Sequence, residues 1–337
     1  MLPKRVLGRT NLEVSAISLG ALPLQRCTFP EAQEVLTTAL AQGINFIDTA
    51  RAYTDSEQKI GQFLSSRRNE FFLATKSMAR SYQAMCQDID TSLAELQTDY
   101  IDLYQIHNAK LATDLQQVLA PEGALKALKE AKLAGKIGHI GITGHSVAIL
   151  KQAVQTGEFD TVQVPYNFIE QTAAQELFPL ARAQNMGIII MKPLGGGQIS
   201  QVELSLRFIL QQPDVVLIPG MDTAAQVQQN LQVLQPYQSL TVSELAKLQA
   251  EADIVGKTFC RRCGYCLPCV KGIDIPQIFI FKIQYERYGL KAAIPQRYNN
   301  LAVKASACIG CGVCEKRCPY DIPIRQRLQE MRQLMEV

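Results

Sequence analysis

The chain has 337 residues, of which 47% are hydrophobic, and its formal net charge is +3. This length is enough to bury a large core, and it fits one large domain with a small one beside it. The nearly balanced charge points to neither a nucleic-acid partner nor a membrane surface, and no apolar run approaches the ~20 residues of a membrane span.

We expect no secretory signal at the start of the chain. Lys4, Arg5, Arg9 and Glu13 interrupt the apolar residues there, so no single apolar core is present. We therefore expect the protein in the reducing cytoplasm, where clustered cysteines usually bind metal rather than form disulfides.

In chain order, a short hairpin is expected over Val6–Val14, followed by short apolar strands that alternate with amphipathic helices. The eight predicted strands are Ile17–Gly20, Phe46–Asp48, Phe71–Thr75, Ile101–Ile106, Ile137–Ile142, Thr161–Pro165, Gly187–Met191 and Val215–Ile218. The predicted helices are Pro30–Gln42, Glu57–Leu64, Tyr82–Leu96, Gly123–Ala134, Val147–Thr156, Ala173–Gln184, Val202–Leu210 and Ala224–Leu234. Eight such units predict an α/β fold, a TIM (β/α)8 barrel. An open doubly wound sheet is the alternative, but no GxGxxG follows the first strand.

Eight of the ten cysteines form two runs near the end of the chain. The runs are Cys260, Cys263, Cys266, Cys269 and then Cys308, Cys311, Cys314, Cys318. CxxCxxC supplies three thiolates from one tight loop, and the second run closes with CxxxCP, as in bacterial ferredoxins. A shift of 48 residues superposes the first three cysteines of the two runs, and an Asp-Ile-Pro follows each run. This internal repeat is typical of a ferredoxin with two [4Fe–4S] clusters.

In ferredoxins of this kind the fourth cysteine of each run binds the other cluster. The prediction is therefore one cluster on Cys260, Cys263, Cys266 and Cys318, and a second on Cys308, Cys311, Cys314 and Cys269. The first run closes with CxxC, and Val270 stands where the second run has Pro319. The site that includes Cys269 is therefore the less regular of the two.

Zinc ribbons and disulfides are the alternatives for these cysteines. A zinc knuckle needs only two cysteines, which would leave the third of each triplet without a role. The predicted organisation is a barrel over residues 1–240, a linking helix over 241–256 that begins at a Ser243 cap, and a small α-helical ferredoxin-like iron–sulfur domain over 257–337.

Four polar residues follow the ends of successive barrel strands, where the chemistry of such barrels takes place. Asp48 ends the second strand, Tyr53 lies in its loop, Lys76 ends the third, and His107 ends the fourth. A carbonyl that accepts hydride needs a proton, and a tyrosine is a poor donor until a cation lies near it. Lys76 can be that cation, with Asp48 holding it and His107 orienting the carbonyl. The alternative is a structural ion pair beside two packed rings.

The segments NFIDTARAY, LATK and DLYQIHN resemble the aldo-keto reductases, and the resemblance covers roughly residues 1–235. It implies that Asp48, Tyr53, Lys76 and His107 are the catalytic tetrad, with Tyr53 as proton donor to a small-molecule carbonyl substrate. A subset of that family carries a ferredoxin-like tail with a run similar to CRRCGYCLPC, and the whole chain resembles such a fusion.

The same resemblance implies a site for NADP(H) or NAD(H). Gln163 and Thr143 match residues beside the nicotinamide, Asn230 matches one that contacts adenine, and MKPLGGG contributes Met191 and Leu194. Met191 stands where the family has a stacking tyrosine. Gly220 and Gln226 replace the two cations that hold the 2′-phosphate of NADPH, so weak discrimination against NADH is expected.

Three functions are compatible with the fused tail. The favoured one is a carbonyl reductase whose clusters either exchange electrons with a partner or sense redox state. An electron-transfer protein is the candidate partner. The second is an electron-transfer module in which the barrel is a scaffold. The third gives the clusters a purely structural role.

Overall fold

A computed structural model describes residues 2–234, 237–256, 259–262, 264–286, 289–318 and 320–336. The chain divides into two compact units. One spans Met1–Gly196 and Ser200–Leu245, and the other Gly197–Ile199 and Ala246–Val337. The predicted domain limits at residues 240 and 256 stay predictions. Within the described residues, no helix is long and apolar enough to cross a membrane.

The predicted hairpin is present at the start of the larger unit. Strands β1 (Lys4–Val6) and β2 (Glu13–Ser15) pair antiparallel. Leu7 and Val14 are fully buried, in one cluster with residues of the barrel interior. Gly8 forms a bridge with Met186, immediately before a barrel strand begins, so the hairpin lies at the N-terminal end of the barrel.

Eight parallel strands then pair in chain order, as the described residues show. They are β3 (Leu19–Gly20), β4 (Phe46–Asp48), β5 (Phe72–Ser77), β6 (Ile101–Ile106), β7 (Ile137–Thr143), β8 (Thr161–Pro165), β9 (Gly187–Met191) and β10 (Val215–Leu217). Ile17 bridges Leu217, and the Ser18 amide donates to the Leu217 carbonyl at 2.8 Å, which joins the first strand to the last. The (β/α)8 barrel is therefore confirmed.

The helices of this unit follow the predicted order. They are α1 (Phe29–Ala41), α2 (Ser56–Leu64), α3 (Tyr82–Leu96), α4 (Ala112–Leu119), α5 (Ala124–Leu133), α6 (Val147–Gln155), α7 (Thr172–Glu176), α8 (Phe178–Ala183), α9 (Val202–Leu210) and α10 (Ala224–Gln232). Two differences from the sequence prediction stand out. The helix predicted over Ala173–Gln184 is two short helices that meet at Leu177. Helix α4, which was not predicted, occupies the segment before α5, where Asp114 accepts hydrogen bonds from the amides of Lys110 and Leu111.

Period-two alternation along the strands builds the barrel interior in layers. Phe46, Ala74 and Leu103 belong to one fully buried interior cluster. Two residues further along the same strands stand Asp48, Lys76 and Gln105. The polar side chains therefore point inward one layer closer to the C-terminal ends of the strands. The opening of the barrel at these ends is the barrel mouth.

The smaller unit is helical. Helix α11 (Val242–Val255) begins in the larger unit, and α12 (Ile275–Glu286), α13 (Ala293–Asn299), α14 (Val313–Lys316) and α15 (Ile324–Met335) follow. The prediction of a Ser243 cap was wrong: Thr241 accepts a hydrogen bond from the Glu244 amide at 3.3 Å, and Glu244 accepts one from the Thr241 amide at 2.8 Å. This reciprocal pair starts the helix at Val242, two residues earlier than a Ser243 cap would.

The cysteine repeat extends to the backbone of the smaller unit. Arg262 and Gly310, which are 48 residues apart, both have a left-handed φ, at +57° and +70°. Gly264 and Gly312 form a second such pair, at +81° and +72°. Left-handed residues turn the chain sharply and favour glycine, so both runs turn sharply at matching positions of the repeat. Cys263 and Pro319 lie outside the described residues.

Candidate active site

The structure brings the four predicted catalytic residues together at the barrel mouth. Asp48 is the last residue of β4, and His107 directly follows β6. Lys76 lies inside β5, one residue before its end, and Tyr53 lies in the loop between β4 and α2. Parallel strands end at one edge of a barrel, which is why residues far apart in sequence meet there.

Asp48 and Lys76 form a buried ion pair. Lys76 Nζ lies 2.6 Å from Asp48 Oδ1 and donates to the Thr49 carbonyl at 2.6 Å, while Gln105 donates to Asp48 Oδ2 at 2.9 Å. Both charged side chains are at most 3% exposed. Burial acts to lower the pKa of Lys76, but the charges of Asp48 and Tyr53 and their hydrogen bonds outweigh it, so the pKa is raised. Lys76 therefore remains a cation.

Tyr53 and His107 lie beside this cation. Lys76 Nζ is 5.0 Å from the centre of the Tyr53 ring, and the Tyr53 and His107 rings meet edge to face with centres 5.8 Å apart. Burial, with the nearby charges of Lys76 and Arg80, lowers the pKa of His107 to about 3. The imidazole is therefore neutral at physiological pH and can donate or accept a hydrogen bond without carrying charge.

A second ion network holds the loop that carries Tyr53. The Arg51 amide donates to the Lys76 carbonyl at 3.0 Å, and the Arg51 guanidinium bonds both Glu57 and Glu95. Glu57 is 1% exposed and also accepts from the Thr75 hydroxyl at 2.6 Å. Arg51 thus attaches the loop to β5 through its amide and to α2 and α3 through its guanidinium, which restricts the position of Tyr53.

Three supporting residues escaped the sequence prediction. Gln105 bonds Asp48, and Arg80 Nη2 donates to the backbone carbonyls of His107 and Asn108 at 2.8 and 3.1 Å. Gln105 stands two residues before His107, so strand alternation could have identified it. Arg80 lies in a loop before α3, and no local pattern distinguishes it from a solvated arginine. Asn108, within the DLYQIHN segment, has its side-chain oxygen buried.

The predicted cofactor residues lie on the neighbouring strands and the last helix. Thr143 ends β7, Gln163 lies in β8, Met191 ends β9, Leu194 lies in the next loop, and Asn230 is buried in α10. His107 Nδ1, Asn108 Oδ1 and Gln163 Oε1 are buried without a hydrogen-bond partner among the described residues. Such atoms usually have a partner. A polar ligand at the barrel mouth, such as a carboxamide and a carbonyl, would provide one.

Two cavities in the smaller unit collect the described cysteines. One is lined by Cys260, Cys266 and Cys318, together with Phe279 and Ile324. The other is lined by Cys266, Cys269, Cys308, Cys311 and Cys314. Cys318 thus shares a cavity with Cys260, and Cys269 shares one with Cys308, Cys311 and Cys314, while Cys266 lines both cavities. The crossed assignment stays a prediction. Thiolates converging in largely apolar surroundings fit an iron–sulfur cluster. Over the described residues, which omit Cys263, no three histidine, cysteine or acidic side chains form a site for a single metal ion.

Family models match both units of the chain. The model of the aldo/keto reductase family matches residues 16–203, and that of a 4Fe-4S dicluster domain matches residues 259–323. The chain belongs to the aldo/keto reductase family, a family of NAD(P)-dependent oxidoreductases, and it carries a 4Fe-4S dicluster domain.

Relatives and solved structures agree with this assignment. The chain is 26% identical over 299 residues to L-galactose dehydrogenase of Arabidopsis thaliana, covering 74% of this chain and 93% of the relative. An aldo-keto reductase from Bacillus halodurans, in its holo form, is similar with a TM-score of 0.66 and 25% identity, over 74% of this chain and 96% of that one. Another, from Klebsiella pneumoniae in complex with NADPH, has a TM-score of 0.64 and 25% identity, over 74% and 95%.

Proposed function

We propose that the protein reduces a small-molecule aldehyde or ketone to an alcohol by hydride transfer, with Tyr53 as the proton donor. The observation that carries this proposal is the position of Lys76, which is bonded to Asp48 at 2.6 Å and lies 5.0 Å from the Tyr53 ring. A purely structural ion pair would not need a tyrosine and a neutral histidine on its solvent side. Reduction of a carbonyl needs both.

Each residue has a distinct role in this mechanism. A bound nicotinamide nucleotide would supply the hydride. His107, which is neutral, donates a hydrogen bond to the carbonyl oxygen and orients it. Tyr53 gives its hydroxyl proton to that oxygen as negative charge develops there, and Lys76 stabilises the tyrosinate that remains. Asp48 holds Lys76 in place, and the Arg51 network holds the Tyr53 loop.

The residues of the barrel mouth fit the nicotinamide end of such a nucleotide. Gln163 presents a buried amide oxygen that can accept from a carboxamide, and Thr143 lies on the adjacent strand. Met191 can contact the ring through its sulfur. The loops after the seventh and eighth strands of a barrel commonly bind phosphate. Here the loop after β9 contains Leu194 and also Gly195 and Gly196, whose φ of +57° and +68° suits glycine.

Isotope transfer tests this reaction directly. Nicotinamide nucleotides deuterated at the transferable position should yield alcohol that carries a single deuterium on the former carbonyl carbon, detected by mass spectrometry over a panel of aldehydes and ketones. Alcohol that forms without the label would mean that hydride does not pass from nucleotide to substrate, and the proposed reaction would be wrong.

We also propose weak discrimination between NADPH and NADH. Gly220 and Gln226 stand where the family has cations, and the adjoining Arg26 is already paired with Asp222 at 2.5 Å. The backbone amide of Asp222 donates to the side-chain oxygen of Gln226 at 2.9 Å, which links these two residues at the start of α10. A 2′-phosphate would therefore meet a neutral ion pair in place of two available cations.

Binding titrations of NADPH and NADH should therefore give dissociation constants within about tenfold of each other, less than one charge-assisted hydrogen bond provides. Gln226→Arg should tighten NADPH binding by about tenfold and leave NADH nearly unchanged. Gln226 is preferable to Gly220 for this test, because a Cβ at Gly220 would lie 2.8 Å from the Pro23 ring. Strong preference for NADPH in the unaltered protein would contradict the proposal.

The dicluster domain adds one-electron chemistry to this two-electron reaction. We propose that it holds two [4Fe–4S] clusters, one on Cys260, Cys263, Cys266 and Cys318, and the other on Cys308, Cys311, Cys314 and Cys269. Hydride carries two electrons at once, whereas each cluster transfers one. The clusters therefore exchange electrons with a separate electron-transfer protein.

A further inference from the structure

Charge is distributed unequally between the two units. Residues 246–337 contain 15 of the 34 lysines and arginines but only 8 of the 31 aspartates and glutamates. This segment has a formal charge of +7, while residues 1–245 have −4, which together make the net +3 of the chain. The overall charge thus conceals a basic cluster-bearing unit. Such a unit attracts anionic partners and accelerates their encounter.

The basic side chains include several beside the second cysteine cavity. Lys271 and Arg325 line the cavity that contains Cys269, Cys308, Cys311 and Cys314. Arg317 donates to the carbonyl of Pro268, which lines the same cavity, at 3.3 Å. Lys316 precedes Arg317 at the end of α14 and is exposed. Arg325 is paired with Glu315 at 2.7 Å, whereas Lys271 and Lys316 have no ion pair among the described residues.

Exposed apolar side chains lie among these cations. Val270 is 64% exposed and Ile309 61%, and both line the same cavity. Cys311, a proposed cluster ligand, is itself exposed. The resulting surface is called the basic rim, and it consists of Val270, Lys271, Ile309, Lys316, Arg317 and Arg325. An apolar centre with a charged margin is the composition of a protein interface.

We propose that the basic rim docks a small acidic protein that carries a single electron. This inference rests on the proposed function, because it needs a cluster on Cys308, Cys311, Cys314 and Cys269. One electron passes between that cluster and the carrier's redox group, so that one is oxidised as the other is reduced, and no bond or proton is involved. The exposed position of Cys311 brings the carrier close to the cluster.

The charges argue for an acidic carrier in particular. A thiolate-bound cluster is itself anionic, so without neighbouring cations it would repel an acidic protein. Lys271 and Lys316, which have no intramolecular ion pair in the described part of the chain, counteract that field at the rim. Electron-transfer complexes are usually small and transient, and electrostatic steering raises their association rates while salt screens it.

The test uses the complete cluster-loaded chain and an acidic flavodoxin as the probe. Binding is measured by biolayer interferometry, and electron transfer by stopped-flow absorbance after the clusters are reduced with dithionite. Both the affinity and the second-order rate should fall as salt is raised. Lys271→Glu with Lys316→Glu should lower the rate at low salt by at least ~10-fold. The control pair Lys291→Glu with Arg297→Glu makes the same charge change at exposed residues that line neither cysteine cavity, and it should change the rate less than about twofold.

Two further measurements separate the possible failures. Iron content and oxidation by a neutral quinone should be equal in all variants, which shows that the clusters are intact. Low iron in the unaltered chain would refute the cluster assignment, and the docking proposal with it. Normal iron content together with an equal loss of electron-transfer rate in the rim and control pairs would refute the docking surface alone. An oligonucleotide that binds more tightly than the flavodoxin, and whose binding depends on the same lysines, would also refute it.

Discussion

Tyr53→Phe should lower the turnover of carbonyl reduction by at least ~100-fold, because general acid catalysis typically contributes that much. The substitution removes only the hydroxyl. The phenyl ring can still lie against Lys76 and His107, and the buried Asp48–Lys76 pair stays complete. Lys76→Met, in contrast, would break that pair and leave a buried charge without its partner, which typically costs roughly 3–5 kcal/mol of stability. A loss of turnover in that variant could therefore not be assigned to the chemical step.

Tyr82→Phe provides the matched control. Tyr82 is the first residue of α3, and its hydroxyl donates to Glu130 at 2.6 Å at an exposed position, outside the residues assigned to the active site. Its turnover should stay within about twofold of the unaltered protein, as usual for a surface substitution. Both variants should bind nicotinamide nucleotide normally, as a fluorescence titration can check. Unchanged turnover in Tyr53→Phe would remove Tyr53 from the mechanism.

Iron analysis of anaerobically purified protein should give about eight irons per chain, and serine variants should reveal which cysteines share a cluster. The crossed assignment makes an unusual prediction for double variants. Cys260→Ser with Cys318→Ser damages one cluster twice and should leave about four irons. Cys308→Ser with Cys318→Ser damages both clusters and should leave almost none, although both changes fall within one run.

If instead the four cysteines of each run bound one cluster, the two double variants would give the reverse result. Their iron contents therefore decide between the crossed assignment and assignment within each run. Cys86→Ser is the control, because Cys86 lies on α3 outside both runs and should keep all the iron. Four irons in the unaltered chain would remove the less regular site, the one that includes Cys269. Zinc in place of iron would refute the ferredoxin-like assignment altogether.

The strand residues of the active site could be predicted because their pattern is local. Asp48 and Lys76 follow short apolar strands, and strands of a parallel barrel all end at one face. Gln105 follows from the same alternation, because it stands on the same strand two residues before His107. The role of Arg80 could not be predicted from the sequence. Arg80 lies in a loop 27 and 28 residues before His107 and Asn108, and it bonds their backbone carbonyls. Contacts with a carbonyl depend on no particular side chain in the partner, so they leave no sequence pattern.

Two helix boundaries also could not be predicted from the local sequence pattern. Helix α4 was missed because its amphipathic pattern covers only two turns, and a single carboxylate at Asp114 caps it. The Ser243 cap was wrong because Thr241 and Ser243 have the same cap chemistry. Only the geometry shows that the Thr241 hydroxyl accepts from the Glu244 amide.

The cysteines show what the sequence determines by itself and what depends on the tertiary structure. Their spacing alone indicates two ligand triplets, because CxxCxxC brings three thiolates together within one loop whatever the rest of the chain does. The crossed assignment of each fourth cysteine comes from the likeness to two-cluster ferredoxins, and only the tertiary structure shows which cavity each of them lines. Cys269 lines a cavity with Cys308, and Cys260 with Cys318. The members of these pairs are 39 and 58 residues apart in sequence, so they share a cavity only because the chain folds to bring the two loops together. The same holds for the basic rim, since Lys271 and Arg325 become neighbours only through folding.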